Sequence, residues 1–473
     1  MPRALSPLLL ALSLVALSAC DKTPRFTEAE PGEALSGGQT TVFKETRNAF
    51  SLPAANLTPM RRLDFAVGNS FFRNPWVIAP STTTARDGLG PLMNTNACQN
   101  CHIKDGRGHP PVGDDVNAVS MLVRISRPAS PGADTAQMLE RIGVIPDPVY
   151  GTQLQDMSIP GVAPEARIRV TYSTQQITFK DGTPLELRTP QLQISNWGYG
   201  AISPDIQYST RIAPPMIGLG LLEAIPEAAI LANAKAQKAA NNGIAGQPNY
   251  VWDDALQKTV LGRFGLKAGQ PSLNQQNVHA FSADMGLTTS LRPFDECTAA
   301  QTACKAAING GEPEVSDHLL AQVLFYTRTL GVPARRKVND AQVLDGKGLF
   351  HQAGCQQCHT PQYTTAANAA EPELANQVIR PYTDLLLHDM GPGLADNRPE
   401  FKASGSQWRT PALWGIGLTQ TVNGHTQFLH DGRARNLLEA IAWHGGEAEA
   451  AKQQVLAYDA DQRAALLAFL NSL

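Results

Sequence analysis

The sequence predicts a mainly α protein of two domains, the first interrupted by a β-hairpin-rich insertion. Three observations predict it. The pattern Cys-x-x-Cys-His occurs twice, at 98–102 and 355–359. The C-terminal stretch 455–473, VLAYDADQRAALLAFLNSL, has helical periodicity, with Leu466, Leu467, Phe469 and Leu470 on an apolar stripe and Asp459 or Asp461 as cap. The stretch 166–195 alternates apolar and polar residues around Asp181-Gly182, a hairpin turn.

The chain has 473 residues, 42% of them hydrophobic, with 39 Gly and 34 Pro. That length exceeds one small core, and the composition is globular and turn-rich. A formal net charge of −3 without long like-charge runs gives no reason to expect a nucleic-acid partner.

Taken in order, residues 1–20 read as a lipoprotein signal peptide. Arg3 precedes an apolar run from about Leu8 to Leu17. A span needs about 20 apolar residues, so this run is too short to cross a bilayer. Leu17-Ser18-Ala19-Cys20 resembles a lipobox, which makes Cys20 the lipidation site and anchors the chain in a bacterial membrane from the periplasmic side. Residues 21–45 read as a flexible tether, 46–333 as the N-terminal domain with an insertion over about 118–205, and 334–473 as the C-terminal domain. The stretch 220–240 reads as helix broken at Pro226, and 316–333 as an apolar helix stopped by Gly331-Val332-Pro333.

The two motifs carry the chemistry. A c-type haem is held by thioether bonds from the Cys pair, and the next His is the proximal iron ligand. Two intervening residues let both sulfurs reach the porphyrin edge while the His points at the iron. The competing readings are a disulfide or half a zinc site, and two copies with a trailing His in an exported chain argue against both. Cys98, Cys101, Cys355 and Cys358 are therefore attachment residues, His102 and His359 proximal ligands, and the domains cytochrome c-like haem domains with two iron-containing haems. Cys297 and Cys304 remain, and export makes them most simply a disulfide.

The far side of each iron decides between electron carrier and enzyme. For the C-terminal haem the candidates from spacing are Met390, His388, His430 and His444, and spacing alone does not choose.

Several stretches resemble one family: DGLGPLMNTNACQNCHIKDGRGHPP, RIAPPMIGLGLLEAIP, GRFGLKAGQPSLNQQNVHAFSADMGLTTSL, GCQQCHTP, HDMGPGLAD and LHDGRARNLLEAIAWHGGEA. Together they resemble the di-haem oxidoreductases, also labelled thiol oxidoreductases and related to bacterial dihaem cytochrome c peroxidases and MauG. The resemblance implies a reactive N-terminal haem and an electron-supplying C-terminal one. It ranks His444 first as sixth ligand of the latter, Met390 second and His430 third. His444 stands where the peroxidases have Met and MauG has Tyr, implying a bis-His haem. At the N-terminal haem it implies catalytic roles for Glu223 as base and Arg211 as the positive group in O–O heterolysis. His109 and Met285 are alternative distal ligands there, and Trp197, Trp408, Trp414 and Trp443 are candidate electron relays. The implied partners are peroxide and a redox protein: a small cytochrome, a copper protein or a quinol-linked chain. Two alternatives stay open: an electron-transfer lipoprotein without catalysis of its own, and a thiol oxidoreductase using Cys297 and Cys304.

Overall fold

Helix and strand both build this chain. The computed structural model describes residues 24–111 and 119–473. The signal segment with Cys20 lies outside them. Helix accounts for 31% and strand for 18%, which corrects the mainly α expectation. The strand is divided among six small sheets among the described residues. Several of their strands are only two to four residues long, such as Leu387–Asp389 against Gln407–Arg409. Segments that short show no measurable period between so many Gly and Pro, so sequence periodicity passes over them.

The insertion is a long hairpin. Arg167–Thr178 pairs antiparallel with Pro184–Ser195. Gly182, at φ +85°, supplies the left-handed residue of the turn. Beside it, Met121–Ser126 is the centre of a three-stranded sheet and pairs with Gln207–Ile212, so β structure runs past residue 205. The hairpin tip reaches the C-terminal half. Leu187 is buried in the core that contains Phe350, Leu466 and Phe469. Arg188 Nε donates to the Arg433 carbonyl at 2.8 Å, and Asp181 pairs with Arg463 at 2.7 Å.

Around the first motif, helices Pro59–Arg73, Leu273–Met285 and Asp317–Thr329 enclose a core containing Phe72, Phe281 and Tyr326. Around the second, helix Ala341–Gln352 crosses Ala460–Ser472. Their approach requires Gly346, because a Cβ there would lie 1.9 Å from the Ala465 carbonyl oxygen. The final helix starts at the Asp459 cap, whose carboxylate and Gln462 form a reciprocal capping box. A third core takes Phe50, Ile217 and Phe264 from one side of residue 333 and Leu386, Trp414 and Leu418 from the other.

The expected tether is also corrected from residue 29 onward. Glu33 is buried and ion-paired with Arg335 and, at 2.9 Å, Lys347. Thr40 and Thr41 are buried as well. Paired buried charges hold this polar segment on the body, a force its composition does not reveal.

Candidate haem site

Both motifs end in the same local geometry. Cys98–Cys101 forms one helical turn, and the His102 N–H donates to the Cys98 carbonyl at 3.0 Å. Cys355–Gln357 is a 3-10 turn entered from Gly354 at φ +81°. His102 Nδ1 lies 2.7 Å from the Pro214 carbonyl, and His359 Nδ1 lies 2.9 Å from that of Tyr382. A carbonyl only accepts, so Nδ1 carries the proton and Nε2 keeps its lone pair for a metal. Burial, partly opposed by those carbonyls, pushes both imidazoles down to about 4. Both rings are therefore neutral near pH 7.

The four motif cysteines are free thiols lining one cavity of about 540 Å³ with His102 and His359. Free thiols leave no place for the disulfide reading. The zinc reading fails as well, since no cluster of three or more metal-ligating side chains occurs among the described residues. A neutral imidazole with a free Nε2, two thiols and a shared apolar cavity fit haem at each motif.

The cavity walls differ. Near the first motif they are charged. Leu122 and Arg124 come from strand Met121–Ser126, Arg211 from its partner, and Asn277, Ala280 and Asp284 from one face of helix Leu273–Met285. The Arg124 side chain makes no hydrogen bond among the described residues and lies in the field of Asp284. Asp284 accepts from Gln153 Nε2 at 2.9 Å. Burial raises its proton affinity against the pull of Arg124. Glu400 is half-buried, and Arg211 at 2.8 Å and Arg398 at 2.9 Å hold it well below the usual carboxylate range.

Near the second motif the wall carries Phe350, Leu466 and Leu470 with His444 and Met390, and also the charged His388 and Glu447, His388 Nδ1 lying 3.6 Å from Cys358 Sγ. His444 Nδ1 donates to the Ala440 carbonyl at 2.7 Å, which leaves Nε2 available, and burial lowers its proton affinity. His388 has both nitrogens engaged, by Asp384 at 2.8 Å and Glu447 at 2.7 Å. Burial opposes its charge, but these carboxylates raise it to about 12. His430 and Trp408 also line the cavity, stacked with centroids 3.8 Å apart, and the buried Lys267 Nζ sits 4.5 Å from the Trp408 ring centroid.

The remaining expected residues scatter. Arg211 reaches the cavity wall but Glu223 does not. Glu223 accepts from the Leu273 N–H at 2.8 Å, at the start of a helix, and pairs with Arg328 at 2.7 Å. Both of its oxygens are thus spent on structure, a correction to its pairing with Arg211. His109 stands outside the lining, its Nδ1 on the Pro110 carbonyl and its ring 5.2 Å from His425. Met285 and Trp414 line the cavity, whereas Trp197 packs on Tyr150 and Trp443 against Arg433. Cys297 and Cys304 form a disulfide. Sequence reading missed Arg124, Asp284 and Glu400. Asp284 stands beside Met285 in FSADMGL, and the helical spacing of Asn277, Ala280 and Asp284 was the available signal.

No curated protein and no solved structure matches this chain. The family described as "Di-haem oxidoreductase, putative peroxidase" matches residues 32–473. With matching over nearly its whole length and two equivalent histidine sites on one cavity, the chain belongs to the di-haem oxidoreductase family.

Proposed function

We propose that this chain is a periplasmic, peroxidase-like oxidoreductase with two covalently attached c-type haems. Cys98, Cys101 and His102 hold the reactive one, and Cys355, Cys358 and His359 the electron-transfer one. The observation that carries this reading is one cavity with unlike walls: a charged wall at the first motif, and His444 and Met390 at the second. Bound haem would supply a redox iron able to exchange single electrons and react with peroxide.

The residues around it do the rest. Arg124 and Arg211 offer positive charge where oxygen develops negative charge. Asp284 is the better proton-handling group than Glu400. Its proton affinity is raised, whereas Glu400 stays ionised between its two arginines. Glu223 supports the helix that carries Asp284. At the second haem, His444 would offer its free Nε2 to the iron as a second protein ligand, which would restrict that haem to passing electrons. Lipidated Cys20 anchors the protein to a membrane, and a redox protein or quinol-linked chain supplies the electrons. A pure carrier has no use for Arg124 and Asp284, charged groups that line the cavity beside the first motif, which favours the enzyme.

Mass spectrometry of the mature protein gives the haem count, and two covalent haems are expected. Optical and EPR spectra of the half-reduced protein, with and without peroxide, then test the division of roles. The first iron should respond to peroxide and the second should stay low-spin. Two irons that remain six-coordinate and unresponsive in every redox state would sink the reading.

A further inference from the structure

Met390 and His444 stand on two glycine turns pressed against each other. Gly391, at φ +72°, would place a Cβ 2.8 Å from the Gly446 nitrogen. Gly446, at φ +55°, would place one 2.2 Å from the Asp389 carbonyl oxygen, and Gly445 one 2.9 Å from that of Met390. Side chains at these positions would force the turns apart, so the contact needs glycine on both sides. Close contact alone does not fix their register, and a buried ion pair joins the same two segments. His388, one residue before Asp389, is clamped between Asp384 and Glu447, one residue after Gly446. Glu447 also accepts from the Asp389 N–H at 3.1 Å and the Ala245 N–H at 2.9 Å. Asp384 is tied in turn by Gln237 at 2.8 Å.

We propose that His388 and Glu447 are positioning residues that lock the Gly445–Gly446 turn, and so hold His444 on the C-terminal haem in place of Met390. This rests on the reading of His444 as the sixth ligand. A carboxylate three residues from His444 is fixed at three points, by His388, the Asp389 N–H and the Ala245 N–H, which restrains the turn from lifting the imidazole away. Without the clamp, the two glycine turns slide, and an external ligand or Met390 competes for the position. The lock is local, because the charged wall at the first motif shares none of these groups.

The test uses the intact dihaem protein and reads the EPR signature and cyanide binding of each haem. Glu447→Ala and His388→Asn should weaken the bis-His signal of the C-terminal haem and make cyanide binding there roughly tenfold easier. The N-terminal haem should not change. Glu447→Gln, which keeps an acceptor for the Asp389 N–H, should fall between. Should His388→Asn fail to fold, Glu447→Ala decides, since that side chain lies at the edge of the cluster with 15% exposure. His444→Ala separates the two readings. If it changes the C-terminal haem while Glu447→Ala does not, the lock is overturned. If His444→Ala leaves that haem unchanged, the ligand reading falls and the lock with it. A change at both haems would mean general destabilisation and also overturns the lock.

Discussion

At the first motif the cavity wall presents Arg124, Asp284, Arg211 and Glu400, while at the second it presents His444 and Met390 amid Phe350, Leu466 and Leu470. Up to the histidine the two sites are built alike, with a carbonyl on Nδ1 and burial holding the ring neutral. Their difference begins where a ligand or substrate would approach. Both sites hold charge: His388 and Asp384 are fully buried at the second, whereas Arg124, Asp284, Arg211 and Glu400 are only half-buried at the first. A soft thioether and a neutral imidazole at the other suit an iron that changes charge without changing partners. The lesson is that one repeated motif fixes the geometry of its histidine, while the neighbouring elements fix what surrounds it.

The largest expected effect removes one side of that comparison. Cys98→Ala with Cys101→Ala should lose one haem by mass and essentially all peroxide turnover, leaving the C-terminal haem spectrum intact. Persisting turnover would put the chemistry at the second site. Next, Asp284→Asn should slow the reaction with peroxide by about 100-fold or more, measured by stopped-flow absorbance. Glu223→Gln should leave that rate near wild type and cost about 1–2 kcal/mol of stability through its lost ion pair. Equal slowing by both would return Glu223 to the active centre.

A smaller effect tests where the hairpin belongs. Leu187→Ala should cost about 2–4 kcal/mol, with hydrogen-exchange protection lost first in the crossing helices Ala341–Gln352 and Ala460–Ser472. Loss confined to Met121–Ser126 and Gln207–Ile212 would assign the hairpin to the N-terminal half instead.

Much of this was legible in the sequence, for identifiable reasons. The two motifs, the Asp181-Gly182 hairpin and the final helix announce themselves through local rules of spacing, turn chemistry and period. The helix break at Pro226 and the stop after Thr329 follow equally local rules. Long-range pairing is what escaped. Glu33 gives no sign in sequence that Arg335 and Lys347 await it. Glu223 looks like a catalytic base until Arg328 and the Leu273 N–H take both of its oxygens. Arg124 looks like any charged strand residue, because only the fold turns it toward the cavity.

The smallest effect concerns the support behind the charged wall. Glu165 is buried, accepts from the Gln155 N–H at 2.6 Å and from Gln301 Nε2 at 2.5 Å. Gln155 in turn donates to the Ala283 carbonyl, next to Asp284. Burial outweighs these hydrogen bonds and raises the Glu165 carboxyl from 4.5 to about 8. The folded state therefore holds a proton that the unfolded state releases above about pH 4.5. Protein stability should fall as pH rises from there toward 8, because folding then carries the uptake of that proton. Each tenfold change in proton affinity is worth about 1.4 kcal/mol, so the upper bound is a few kcal/mol. Glu165→Gln cannot ionise and should flatten this part of the curve. Urea unfolding from pH 4.5 to 8, followed for both haems, checks it. The flattening should be stronger for the N-terminal haem than for the C-terminal one. Parallel curves for wild type and variant would mean that Glu165 is ionised in the folded protein and that the wall rests on other groups.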